Sequence, residues 1–444
     1  MPFSRKAESA RAGTSRYRPT AMDRVFADAR VVALTGPTLG LDAGDARATL
    51  AAAEKSSATP RLSLQPRQDS RSWEYRGSLG DTSIEHSPNV DTADLGKLLT
   101  DIRNRPGERT ALDVLIEGDY VAIDYSHGVG DGQMGVQALA ALSGDPDGTR
   151  APGLAVGLPP RATWTALRRH YWAHPSALRD FWTMRGTHKR RPEHSSGATR
   201  RIENWESHKI SRSGYMAPAQ VAELKKWGKQ NFDGSTSASI SVALWAAALR
   251  AEDVVIDDHI MVLFNSRRYL DPEYAGAHGN FAVGIPLHLP SSSTPSDIAT
   301  TMRQVIDSGW PIAILAMSEV KDALAAVRPR RSSPSQITNT TETTETTETT
   351  ETTVPDRLRV AVSDLGRLPM FEHLKWAEDG RPPQLAASLE PDGPDGVTML
   401  ISELAGGRTY TASFCSAFVE ESVVESALAR LCSDPVGLLE DART

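Results

Sequence analysis

The sequence predicts an α/β protein built as two lobes. Strand-like and helix-like segments alternate in both halves of the 444 residues, the pattern of sheets covered by helices. Between the halves, residues 159–201 change character: ten Arg or Lys stand against only Asp180 and Glu193. A length of 444 also suits two or three domains at about 100–200 residues each. The net charge of -7 argues against a general nucleic-acid binder. Two cysteines, Cys415 and Cys432, cannot make a disulfide scaffold or a zinc site and fit a reducing cytoplasm. No window approaches the roughly 18 apolar residues a membrane-spanning helix needs.

Taken in order, residues 1–19 read as a disordered basic tail, with Arg5, Lys6, Arg11, Arg16 and Arg18 against Glu8. No apolar run follows that would make it a secretory signal. The first lobe is placed at 20–185. Arg30 to Leu34 reads as a strand, and Asp42 to Glu54 as a helix on the 3.6-residue spacing of its apolar positions. Leu62 to Leu64 and Trp73 to Tyr75 read as short strands, and Ala93 to Ile102 as a helix. Ala111 to Ile116 and Tyr120 to Tyr125, split by Glu117-Gly118-Asp119, form a hairpin signal rich in β-favouring residues. Gln133 to Leu142 reads as a small-residue helix. Trp164, Leu167, Tyr171 and Trp172, then Leu178, Phe181 and Trp182, predict a buried helical pair with basic outer faces.

A basic crossover loop is placed at 186–201 and the second lobe at 202–444. Ile202 and Lys209-Ile210 read as strands, Pro218 to Asn231 as an amphipathic helix and Ser237 to Arg250 as a core helix. Asp257 to Leu263 reads as a strand, Asp297 to Gly309 and Ala313 to Ala326 as helices. The tandem Thr-Thr-Glu of 339–353 is too polar to fold and reads as a disordered insertion. Strands are expected at Leu358 to Ser363, Thr398 to Ser402 and Tyr410 to Phe414, and a last helix from Glu420 to Leu431.

The segment that carries chemistry is His127-Gly-Val-Gly130-Asp131-Gly132, directly after the strand ending at Tyr125. A histidine on a glycine-rich turn at a strand end is held firmly yet left accessible, and glycines allow close approach. A free imidazole titrates near 6.5, so it can take and return a proton at neutral pH. Plainer roles are open too: His127 as a satisfied loop histidine, and Asp131 as the N-cap of the next helix. Asp124, His127 and Asp131 together could also be read as metal ligands of a hydrolase, without a second nearby His or Cys to complete them.

The motif resembles the His-x-x-x-Asp-Gly signature of the chloramphenicol acetyltransferase superfamily. That group includes peptide-synthetase condensation domains, plant BAHD acyltransferases and polyketide-associated acyltransferases. Asn265-Ser266-Arg267 with Gly279-Asn280-Phe281, and Val362-Ser363-Asp364-Leu365-Gly366, resemble the group's later segments in the right order. Ser126 stands where condensation domains carry a first histidine, and Asp364 where Asn is commoner. The resemblance covers about residues 20 to 435. It implies two chloramphenicol-acetyltransferase-like lobes, each a mixed β-sheet with flanking helices, and an active-site channel between them.

What the resemblance implies about function follows the same lines. An acyl thioester, on coenzyme A or a phosphopantetheinyl carrier protein, meets a small-molecule alcohol or amine, with His127 as general base. Asp131 supports the site by pairing with Arg267 rather than Arg268, since strand alternation separates the two arginines. Gly132 lies in the motif, and Ser363, Gly130 and Asn280 are oxyanion or channel candidates. No G-x-S-x-G elbow is present, which fits direct transfer without an acyl-enzyme. The basic segment 159–201 could meet a phosphate, an acidic carrier surface or only solvent. Expected besides are no metal, no permanently bound cofactor, no nucleic-acid or membrane partner, a monomer and a cytoplasmic location. A degenerate docking or regulatory member of the same fold is the other class the sequence admits.

Overall fold

The structure, a computed structural model, describes residues 16–56, 61–75, 78–79, 82–87, 90–144, 157–189, 198–327 and 351–442. Two mixed sheets, of five and six strands, form its frame. The five-stranded sheet runs in the order Gln384–Ser388, Arg30–Gly36, Tyr120–Ser126, Leu112–Glu117, Ile84–Ser87. Its centre is the hairpin Leu112–Glu117 and Tyr120–Ser126, in register from Glu117 opposite Tyr120 to Leu112 opposite Tyr125. Both strands are buried throughout, which suits their apolar stretches Val114 to Ile116 and Tyr120 to Ile123. The six-stranded sheet runs Ala282–His288, His259–Asn265, Arg359–Arg367, Gly396–Leu404, Gly407–Cys415, Lys209–Met216. Arg359–Arg367 pairs in parallel with both neighbours, and the other pairs are antiparallel.

Helices cover these sheets. Leu95–Asn104 starts at Asp94, whose side chain accepts from Lys97 N, and buries Leu95, Leu98, Leu99 and Ile102. Ser237–Arg250 starts at Thr236 with a capping box and carries Trp245 and Leu244 into the second core. Leu95–Asn104 belongs to the first half yet lies on Lys209–Met216, with Ser211 N donating to Thr100 Oγ1 at 2.9 Å.

The lobes are less separable than the sequence implies. Gln384–Ser388, placed in the second lobe by its position in the chain, is the edge strand of the first sheet. It also touches the second sheet, where Ser402 Oγ donates to Leu385 O at 2.7 Å. One strand therefore belongs to the packing of both sheets, and its neighbours tie each to the other.

Several boundaries move. Arg16–Tyr17 pairs with Trp73–Glu74, so the expected tail does not reach 19, and its residues 1–15 lie outside the described residues. Leu62 to Leu64 is not a strand: Leu62 and Ser63 belong to a 3₁₀ turn, Arg61–Ser63, and only Leu64 makes an isolated bridge, to Tyr75. Of the Thr/Glu insertion, 339–350 lies outside the described residues. Glu351–Pro355, which includes 351–353, is a strand paired with Thr199–Glu203. The crossover loop 186–201 likewise loses its ends to the helix Ala177–Thr187 and to that strand.

The helical pair Ala162–Ala173 and Ala177–Thr187 is present, but it is not buried as the spacing suggests. Ala162, Ala166, Phe181 and Met184 face the core, while Trp164, Trp172, Leu178 and Trp182 are exposed. An amphipathic spacing shows that one face is apolar and does not show what covers it.

Candidate active site

His127 opens a 3₁₀ turn, His127–Val129, at the end of Tyr120–Ser126. Ser126 caps that turn: its Oγ accepts from Gly128 N at 3.2 Å and donates to Ala27 O at 2.6 Å. The short helix Ala21–Val25 packs against the turn. A Cβ on Gly128 would lie 2.9 Å from Ala27 Cα, so glycine is required there by packing. Gly132 is different, since the nearest atom to a Cβ would be Leu365 Cδ2 at 3.6 Å. Gly128→Ala is therefore expected to lower the melting temperature and Gly132→Ala to leave it unchanged, as a thermal melt would show.

The His127 ring is held from two sides. Phe26 stacks on it with centroids 4.4 Å apart and planes 20° from parallel. Its Nδ1 lies 3.0 Å from Asn280 Oδ1. The amide orientation of Asn280 is set by its other end, where Nδ2 donates to Asp23 Oδ1, His127 O and Gly128 O at 3.0, 2.9 and 3.3 Å. With Oδ1 left as acceptor, Nδ1–H is the donor that suits this contact, and Nε2 has no hydrogen-bond partner among the described residues. Asn280 comes from the second half of the chain, so His127 sits where the two halves meet.

Behind Asn280 lies a buried ion pair. Arg61 Nη2 meets Asp23 Oδ1 at 2.8 Å, Arg61 Nε donates to Val129 O at 2.8 Å, and Tyr17 OH donates to Asp23 Oδ2 at 2.8 Å. Burial opposes the Arg61 charge, but Asp23 and Tyr17 outweigh it and raise its pKa. Burial pushes the Tyr17 phenol up as well. The chain Arg61, Asp23, Asn280, His127 is thus continuous.

A second buried pair lies on the other side. Arg267 grips Asp131 with Nη1 to Oδ2 at 2.8 Å and Nη2 to Oδ1 at 3.0 Å. Arg267 also donates to Ala277 O and Gly279 O, at 2.7 and 2.8 Å. Asp131 accepts from Phe281 N and, as N-cap of Gly132–Leu142, from Gln133 N, at 3.0 and 3.2 Å. The pairing and the capping roles coexist in one carboxylate. Arg267 and not Arg268 makes this pair, though not through strand alternation. The strand ends at Asn265, which caps a 3₁₀ turn Ser266–Tyr269 by accepting from Arg267 N. That turn, not strand alternation, buries Arg267 and exposes Arg268.

Two oxyanion candidates change role. Gly130 N donates to His127 O at 3.2 Å, and the Asn280 amide is fully engaged. Neither is a free donor. Ser363, in Arg359–Arg367, has no side-chain hydrogen bond among the described residues, and Leu365 two residues on reaches Gly132. Burial raises the pKa of its neighbour Asp364. His278 is a further buried histidine, contacting Gln137. Burial first, then Arg61 and Arg267, lower its pKa to about 4, so it is neutral at pH 7.

The metal-ligand reading loses its carboxylates. Asp124 is held by Arg30 Nε at 2.6 Å and Arg105 Nη1 at 2.5 Å, and Asp131 by Arg267. Among the described residues no group of three His, Cys, Asp or Glu could hold a metal ion.

No family model matches the sequence, and no curated protein matches it. Solved structures do. The TRI3 trichothecene 15-O-acetyltransferase from Fusarium sporotrichioides is similar at a TM-score of 0.60 and 12% identity, over 97% of this chain and 96% of that one. The epimerization domain from the third module of tyrocidine synthetase B gives 0.54 and 13%, over 99% of both chains. The nonribosomal peptide synthetase FmoA3 gives 0.55 and 14%, over 96% of this chain but 43% of its own length. The fold is therefore the two-lobed, chloramphenicol-acetyltransferase-like fold shared by acyltransferases and peptide-synthetase domains. Within it this chain carries His127, oriented by Asn280, at the meeting of its halves.

Proposed function

We propose that the protein is an acyltransferase or free-standing condensation enzyme, moving an acyl group from a thioester to an alcohol or amine. The observation that carries this reading is the contact of His127 Nδ1 with Asn280 Oδ1 at 3.0 Å, which favours the tautomer protonated at Nδ1 and leaves Nε2 to act as base. Nε2 takes the acceptor's proton as its oxygen or nitrogen attacks the thioester carbonyl. The C–S bond then breaks, and the same proton passes to the departing thiolate. The Ser363 hydroxyl is the remaining side-chain candidate for the carbonyl oxygen. Coenzyme A or a carrier-bound phosphopantetheine is the donor thiol, and both are substrates rather than resident cofactors.

Pooled acyl-CoA and acyl-carrier assays, read by free thiol release and intact mass, test this reading. Acceptor-dependent thiol release that vanishes in His127→Ala is the expected result. Release unchanged in that variant would sink it. Asn280→Ala is expected to lower kcat more than it raises KM, by less than removal of His127 itself. Steady-state kinetics on both variants check that order.

A further inference from the structure

Nine large hydrophobic side chains are exposed among the described residues, and six of them lie on three helices. Trp164 and Trp172 are on Ala162–Ala173, Leu178 and Trp182 on Ala177–Thr187, and Val320 and Leu324 on Trp310–Val327. Trp172 is 86% exposed, Trp182 59%, Leu178 51% and Trp164 42%. Ala162–Ala173 packs against Trp310–Val327, and Ala177–Thr187 follows it in the chain after three residues.

Their spacing interleaves them with arginine. Trp164, Arg168 and Trp172 are four residues apart, and Leu178, Trp182 and Arg185 follow at four and three. Residues so spaced share one helix face. The Arg185 guanidinium lies 5.6 Å from the Trp182 ring centre. Arg168, Arg169, Arg179 and Arg185 are exposed against Asp180 alone on these two helices, and of the four only Arg169 has an acid partner among the described residues, Asp271. Cavities of about 490 and 520 Å³ lie elsewhere, beside Phe232 and Arg250 and beside Arg367 and Trp376.

We propose that the exposed tryptophans and arginines of these two consecutive helices dock the protein onto an anionic lipid bilayer. Tryptophan beside arginine on a helix surface is the composition that lies in the headgroup layer. Arginine stems cover apolar surface while their heads reach lipid phosphates. An exposed, positively charged aromatic face suits an anionic surface. No described helix is long and apolar enough to cross a membrane, so the attachment is peripheral and reversible. The expectation of no membrane partner was tied to spanning segments, which this mode does not use. The inference goes beyond the proposed reaction and needs none of its residues.

The test is sedimentation of the full chain with vesicles of phosphatidylcholine alone and of phosphatidylcholine mixed with phosphatidylglycerol. Binding to the mixed vesicles at low salt is expected, with a blue shift of tryptophan emission and release at high salt. Trp172→Ala with Trp182→Ala, and Arg168→Glu with Arg179→Glu, should each weaken partitioning about tenfold or more. Their melting temperatures should match wild type because these side chains are exposed. Equal binding to both vesicle types, no binding, or full binding by the tryptophan variant overturns the proposal. So does tryptophan-dependent self-association without vesicle binding, which would make the face a protein interface.

Discussion

His127→Ala is expected to lower turnover about 10²–10⁴-fold, the usual cost of losing a general base. The fold should survive. The ring is only partly buried, and its strand is anchored by main-chain pairing to Arg30–Gly36 and Leu112–Glu117. Asn280 loses the group on Oδ1 but keeps the three acceptors on Nδ2. Phe26 loses a stacking partner worth about 0.5–1.5 kcal/mol. Turnover and melting temperature measured together separate the outcomes. A variant that unfolds would make His127 a structural residue, and one that keeps its activity would remove it from the chemistry.

Asp131→Ala should fail differently, by about 3–5 kcal/mol of stability, because Arg267 stays buried without its counter-charge. Phe281 N and Gln133 N lose an acceptor in the same step. Arg267→Ala should produce a similar loss, and Arg267→Lys should not restore it, since an ammonium cannot grip both oxygens. Arg268→Ala should be mild. The pH dependence gives a second signature. Burial pushes the Asp131 carboxyl up, but Arg267 and the Phe281 N–H outweigh it and hold it below the usual carboxylate range. Its stabilisation is therefore full above an unfolded value of about 4 and disappears as pH falls through the lower folded value. The gap in melting temperature between wild type and Asp131→Ala should narrow on acidification. A gap that holds constant, or an Arg267→Ala protein as stable as wild type, would leave Asp131 as a helix cap only.

The strand into His127 was legible because a hairpin signal, a glycine turn and a small-residue helix follow one another between Ala111 and Leu142. The partners of the ring were not. Asp23 and Phe26 come from a five-residue helix and its end, too short to show a period. Arg61 acts across 68 positions on Val129, a distance that spacing rules do not reach. Asn280 was visible only through resemblance, which gave its place and not its task. Gln384–Ser388 escaped for another reason. The sequence Gln-Leu-Ala-Ala-Ser has no β-branched or aromatic residue, and its strand character comes from the edge that receives it. The exposed tryptophans show the converse error, in which a correct helical period was given a core it does not face.

That borrowed edge strand orders events during synthesis. Arg30–Gly36 emerges from the ribosome early, yet one of its sides is closed only by Gln384–Ser388, with 349 positions between Thr35 and Gln384. Until then the nascent first lobe presents an open, fully buried-type strand to the cell, the kind of edge that invites wrong pairing. The first sheet is therefore completed only after most of the second half has been made. Translation speed and chaperone capture across the second half should therefore govern the yield of active protein more than the intrinsic stability of either lobe.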